Sequence, residues 1–505
     1  MRFEVRTLAL VQALCFFGCY RVHMRAEGDA APDVAVDAIP LSDALPDAPL
    51  EKDALPLYCA RDRECPSSLC VHDFEAPPED LAEVRLRCGP RVGPLDPLSE
   101  CNSPIDCSHG LCTLFGGCVR PCADASDCGE EERCARVPIP RGPSSLQFTQ
   151  ACIPWVVLPE GVRLSRREDV RLAPRSTLHT FEIPPSSALA QLFLHVAGDD
   201  DPFWSVLTID TSDGRRLFDI SLLGMSPQPL VALPSLGGVL PILISNGDRD
   251  FPEGTGFVAR IYLSRTFEFT RLGIERNRGG RTLDLDFVSI GVSPPINRMP
   301  PPDLAPALSV LDALLRRFGL ELGRIRHFNL PGSLAETHAI IEEPSTSERM
   351  EVGDILALSA GNPRPSLPVF LIRSAADFFG TAGSLPGPMG SHGTRASGII
   401  IALEDIQNWP GPGSWTHVFA SVLVHEFAHF AGLFHTSEAD GSVFEPLSDT
   451  PECKPEHDAN MDGVLAPEEC VGRGAENLMF WLGNFEDPQL SPRQRQILER
   501  AMVLR

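Results

Sequence analysis

The residues best suited to chemistry lie in one short run, HEFAHFAGLFH, residues 425–435. Three histidines and one glutamate interrupt apolar side chains, in a setting where burying an unpaired polar group is costly. On a helix, His425 and His429 share one face a single turn apart, the spacing of two metal ligands. A hydrolytic zinc centre takes three neutral or anionic protein ligands and leaves one position for water. Gly432 can adopt the left-handed conformation that ends a helix and turns the chain, so that His435 swings back as the third ligand. Glu426 directly follows the first ligand and stands beside the open position, where it can take a proton from water and pass it to a leaving amine. A lone histidine pair at this spacing is commonly a surface or core pair. All five positions of H-E-x-x-H-x-x-G-x-x-H, however, arise by composition in roughly one such chain in 20,000.

A second set of residues suits a harder cation. Between Cys453 and Cys470 the chain reads KPEHDANMDGVLAPEE. Asp458, Asn460 and Asp462 fall at positions 1, 3 and 5 of a twelve-position calcium loop, with Gly463 at 6, the Val464 carbonyl at 7, Leu465 at 8 and Glu469 at 12. Pairing of Cys453 with Cys470 would close this loop. Pro467 sits inside it and no flanking helices are evident, so an acidic, solvated turn is the rival reading. Bound Ca2+ would stabilise the segment that leads from His435 toward residue 479.

The pattern at His425, Glu426, His429, Gly432 and His435 resembles that of the metzincin zinc endopeptidases. The resemblance implies Zn2+ as cofactor, an α+β metallopeptidase domain, and a methionine turn beneath the metal, for which AENLMFW supplies Met479. The Leu-Ser-Asp-Thr-Pro-x-Cys segment ending at Cys453 and the terminal LSPRQRQILERAM look like those of the pappalysin-like members. The resemblance covers residues 282–505 only. It departs from the family at Trp481, where relatives often carry an oxyanion-stabilising tyrosine. An indole N–H can donate a hydrogen bond but cannot ligate zinc, which would leave oxyanion stabilisation chiefly to the metal.

These groups need positioning elements. Ser414 is a plausible N-cap after WPGPG, and WTHVFASVLVHEFAHFAG then runs without a breaker to Gly432. Upstream, TLDLDFVSIGV alternates like a strand, and in DLAPALSVLDALLRRFGLEL leucines recur at helical spacing. Further strands are expected at RIRHFNL, DILALSA, PVFLIRS and ASGIIIALED. Strands mixed with helices give the α+β expectation for 282–505.

The remaining 280 residues divide by composition. Arg2 and Arg6 precede an apolar run too short to span a bilayer, which is the pattern of an export signal over residues 1–19. Its end, Phe16-Phe17-Gly18-Cys19, is similar to a bacterial lipobox, so lipidation of Cys19 and ordinary cleavage are both open. Residues 20–57, rich in Ala, Asp and Pro, read as an extended linker or tether. Within 58–153, three blocks of the form C-x5-C-x4/5-C, each followed by one further cysteine, read as three four-cysteine disulfide-rich modules. C-x2-C zinc knuckles are missing from these blocks. Such small modules need disulfides for order, each contributing roughly 3 kcal/mol for a ~15-residue loop. Spacer, adhesive surface and propeptide all remain compatible with them. Residues 155–278 carry short alternating strands between turn signals, as in an antiparallel β-sandwich serving as an accessory or binding domain.

Sixteen cysteines suit an oxidising compartment. The net charge of −25 argues against nucleic acid as a partner. Two functions follow as expectations. One is a secreted or surface-anchored zinc metalloendopeptidase acting on extracellular proteins or peptides, with Glu426 as base and acid and a membrane tie only through Cys19. The other is a surface binding or adhesion protein with an inactive metzincin-like domain. The intact Glu426 favours the first.

Overall fold

The structure, a computed structural model, describes residues 58–505 apart from 66–68, 74–82, 142–144, 173–178, 184–188, 197–203, 212–215, 220–238, 244–256, 264–266, 277–279, 293–303, 331, 343–345, 377, 384, 386, 412, 443, 446, 448, 484, 500 and 502. The expected signal with Cys19 and the linker 20–57 lie outside these residues.

In each cysteine block the first cysteine joins the third and the second joins the fourth. The bonds are Cys59–Cys70 and Cys65–Cys88, Cys101–Cys112 and Cys107–Cys118, and Cys122–Cys134 and Cys128–Cys152. With all twelve oxidised, none of them remains as a thiolate ligand. The blocks also hold one another: Arg61 pairs with Asp124 and Asp127, and His109 Nε2 lies 3.0 Å from Asp62 Oδ2. From 162 to 276 the backbone forms two four-stranded antiparallel sheets.

The C-terminal region, whose elements are numbered from its own start, is built on β1 (Thr282–Ser289), α1 (Ala305–Arg317), β2 (Glu321–Asn329), α2 (Gly332–Thr337), α3 (Thr346–Ala357), β3 (Leu367–Ile372), β4 (Gly380–Ala382), β5 (Ile399–Ala402), α4 (Leu403–Gln407), α5 (Trp415–Ala431) and α6 (Pro492–Glu499). The sheet order is β2-β1-β3-β5-β4. Four strands run parallel, and β4 is an antiparallel edge. Helix and sheet are mixed here, and because the parallel strands need crossover connections, helices lie between them in the chain.

Alternation along the strands sorts the side chains into two layers, since successive residues point to opposite faces. Leu283, Leu285, Phe287, Leu367, Val369, Leu371, Ile399 and Ile401 join α1 and α5 in one core. Val288, Phe370, Ile372 and Ile400 face the other way, toward Ile355 and Leu356 of α3. Leu114, Phe115, Leu146 and Phe148 of the cysteine-rich region complete that second core. Polar contacts lock the same junction. Arg326 binds Asp286 through two nitrogens and donates to the Phe115 carbonyl, Thr113 Oγ1 donates to the Gly361 carbonyl at 2.9 Å, and Arg364 pairs with Glu100. Trp155, just beyond the last block, belongs to the first core. The second and third blocks are therefore a layer of the C-terminal unit rather than beads strung ahead of it.

Two local expectations fail. DILALSA is not a strand: Asp354–Ala357 end α3, and Leu358–Ala360 turn. A short apolar run buried on one side does not reveal its period, and the helix begins eight residues earlier among polar side chains. The leucine pattern of α1 does not run on through GLEL either. Gly319, at φ 84°, turns the chain, and Glu321 opens β2. No helix among the described residues is long and apolar enough to cross a membrane.

Candidate metal centre

Helix α5 is apolar on nearly every side and is buried from Val418 to Ala431, as a central helix must be. Ser414 stands at its N-cap, but its hydroxyl bonds Thr416 Oγ1 and the His417 ring instead of a backbone amide. Gly432 ends the helix at φ 106° and donates its N–H to the His429 carbonyl at 2.8 Å. A side chain at that φ would be strained.

The turn brings three imidazoles together. His429 Nε2 lies 3.0 Å from His435 Nε2, which lies 3.3 Å from His425 Nε2. Their outer nitrogens face acceptors: His425 Nδ1 the Leu478 carbonyl at 2.7 Å, His429 Nδ1 the Leu433 carbonyl at 2.8 Å, and His435 Nδ1 the Glu438 carboxylate at 3.0 Å. A carbonyl or carboxylate oxygen can only accept, so each Nδ1 carries the proton and each Nε2 presents a lone pair. Three lone pairs at this range repel unless a cation sits among them. Burial and the neighbouring rings hold His425 down to about 3 and His429 well below the usual histidine range, so neither of these two takes up a proton readily. The donor set therefore fits a divalent metal that accepts imidazole, and zinc suits three such ligands with one position open.

Glu426, next in the chain to His425, is buried. Desolvation pushes its carboxyl up to about 8, while a hydrogen bond from the Ala382 N–H pulls the other way. Its Oε2 has no hydrogen-bond partner among the described residues. One oxygen is thus held by the edge strand β4 and the other is available for proton transfer. The approach depends on Gly380: a Cβ there would come within 2.7 Å of Glu426 Cγ and of Val422 Cγ1. Nothing in the sequence of GTA marked β4 as the neighbour of the glutamate.

Met479 is fully buried against α5. Its N–H donates to Asn477 Oδ1 at 2.8 Å, and its carbonyl accepts from the Thr436 N–H at 2.8 Å. Asn477 continues to Gln494 and Gln494 to Glu445, at 2.8 and 2.7 Å. Burial pushes Glu445 up to about 8, opposed by its bonds from Gln494 and the Phe434 N–H. Ser491 and Gln494 form a reciprocal capping box at the start of α6, and Asp449 accepts from Ser491 Oγ and Arg493 N. The Asp-Thr-Pro segment thereby holds the last helix against the turn. Asn477, Glu445 and Gln494 were missed by sequence reading, because their partners are far away in the chain.

Cys453 and Cys470 are bonded, closing the acidic loop. Within it, Asp458 Oδ2 accepts from Gly463, Asn460 Oδ1 from Asp462, Asp462 Oδ1 from Val464, and Glu469 Oε1 from Ala459 and Asn460. The loop thus brings the carboxylate of Glu469 to the residues beside Asp458. Asp458 Oδ1 is buried without a hydrogen-bond partner among the described residues. Trp481 does not hold its N–H ready for a substrate oxyanion: Nε1 donates to the Leu465 carbonyl at 2.8 Å, tying the loop to the turn that carries Met479.

No family model and no curated protein sequence matches the chain. Among solved structures it is similar to an archaemetzincin from Methanopyrus kandleri, with 15% identity and a TM-score of 0.24 over 44% of this chain and 95% of that one. Family two carbohydrate esterases from Clostridium thermocellum and Cellvibrio japonicus follow, each at 8% identity. Their TM-scores are 0.13 and 0.10, over 41% of this chain and 77% and 78% of theirs.

Proposed function

We propose that the chain is an exported zinc metalloendopeptidase of metzincin type, with His425, His429 and His435 as ligands and Glu426 as general base and acid. The observation that carries this is the trio of converging Nε2 lone pairs beside a buried carboxylate with one free oxygen. Zinc at the trio would supply Lewis-acid polarisation of a peptide carbonyl and of water. Glu426 would take the proton of the attacking water on Oε2 and return it to the leaving amine. With one oxygen held by Ala382 and Oε2 free, the carboxylate can serve both directions of transfer. On its outer side β4 has no strand partner among the described residues, so an extended peptide could pair with its backbone next to Glu426. Met479 would floor the site, and the seven disulfides among the described residues favour an oxidising location.

Removing zinc from the purified protein with a chelator should abolish cleavage of an unfolded protein substrate, and adding back one equivalent should restore it. Cleavage that survives complete removal would sink the reading.

We assign the acidic loop to Ca2+ on the orphaned Asp458 oxygen, with Asn460, Asp462, the Val464 carbonyl and Glu469 as the other ligands. Selective calcium removal in zinc-replete buffer should lower the melting temperature, and an unchanged melt would count against the loop.

A further inference from the structure

The three imidazoles differ in what receives their outer N–H. His425 and His429 donate to neutral backbone carbonyls, whereas His435 donates to a carboxylate, Glu438 Oε2, at 3.0 Å. His435 is also the one ligand outside α5, so no helical neighbours fix its ring. The segment that carries Glu438 is pinned on both sides. Thr436 N–H donates to the Met479 carbonyl at 2.8 Å, and Leu465 N–H donates to the Ala439 carbonyl at 2.7 Å. Glu438 itself accepts the Gly441 N–H on its backbone carbonyl at 2.9 Å, and its side chain is 24% exposed. It bonds the nitrogen of His435 that faces away from the trio, so this contact leaves it outside the ligand set.

We propose that Glu438 is a positioning residue for the metal. Its carboxylate fixes the Nδ1–H tautomer and the ring plane of His435, and its negative charge strengthens the electron donation of Nε2. This rests on the reading of the trio as a metal site. Such outer partners typically change metal affinity by about 10–100-fold.

The test uses the full chain, stripped of metal and titrated with zinc against a competing chelator, with the visible absorption of the cobalt-loaded protein as a second readout. Wild type is compared with Glu438→Ala and with Glu438→Gln, which keeps an acceptor oxygen but loses the charge. Zinc affinity should fall by about 10–100-fold in Glu438→Ala, with Glu438→Gln in between. The cobalt spectrum should shift, while the metal-free melting temperature stays unchanged. Wild-type affinity and an unshifted spectrum in Glu438→Ala would overturn the proposal alone. A wild-type protein that takes up neither metal would overturn the metal-site reading as well.

Discussion

At the scale of single residues, the polar groups in HEFAHFAGLFH survive burial because each has a partner outside the trio. The imidazole protons go to Leu478, Leu433 and Glu438, and one Glu426 oxygen goes to Ala382. The three converging histidines were legible in sequence because metal chemistry demands particular residue types at spacings that a helix sets. Their supports were not, since Glu438 and Asn477 act through contacts that no local pattern encodes. Trp481 shows the difference. Its sequence position marked it as a departure that leaves the oxyanion chiefly to the metal, and its geometry makes it a tie between the acidic loop and the turn. Trp481→Phe should therefore leave kcat within a few-fold and cost about 1 kcal/mol of stability, the net value of one hydrogen bond. Steady-state kinetics and chemical denaturation check both, and a collapse of kcat at unchanged stability would show that the indole acts in catalysis after all.

At the scale of elements, the site is a helix and an edge strand brought close enough to touch. Helix α5 could be read from its length and its Gly432 stop, whereas β4 was too short to carry a period. Helix α3 was misread because DILALSA shows only the buried end of a longer element. The spacing between β4 and α5 depends on Gly380. Gly380→Ala should displace the Glu426 side chain and lower kcat on the order of 10–100-fold, while zinc stays bound. Metal analysis and kinetics of this variant check the expectation, and unchanged kcat would mean that the strand can withdraw without consequence.

At the scale of the whole molecule, the cysteine modules are where sequence and structure part most. Their spacing announced disulfides correctly in kind, but module boundaries hid the fact that Phe115 and Phe148 complete the core behind the sheet. Phe115→Ala should cost about 3–5 kcal/mol and destabilise the C-terminal unit, not only the second module. Unfolding followed by hydrogen exchange in β1 and β3 reads this directly. The same junction carries a pH dependence. His392 is buried, and desolvation holds it down to about 4, opposed by its bond to the Arg364 carbonyl and by Asp286 and aided by Arg326 and Arg133. Its folded pKa is below its unfolded one, so its contribution is present above pH ~6.5 and is lost as pH falls toward about 4. That amounts to up to ~3 kcal/mol at about 1.4 kcal/mol per unit. Denaturation midpoints between pH 7 and 4 should fall more in wild type than in His392→Gln.

The central claim joins metal and base in one site, and one measurement addresses both: zinc content and cleavage of an unfolded protein substrate, compared for wild type and Glu426→Gln. The account predicts one equivalent of zinc in each protein, with cleavage lower by about 100–10,000-fold in the variant. Full cleavage by Glu426→Gln, or a wild-type protein that holds no zinc, would contradict it.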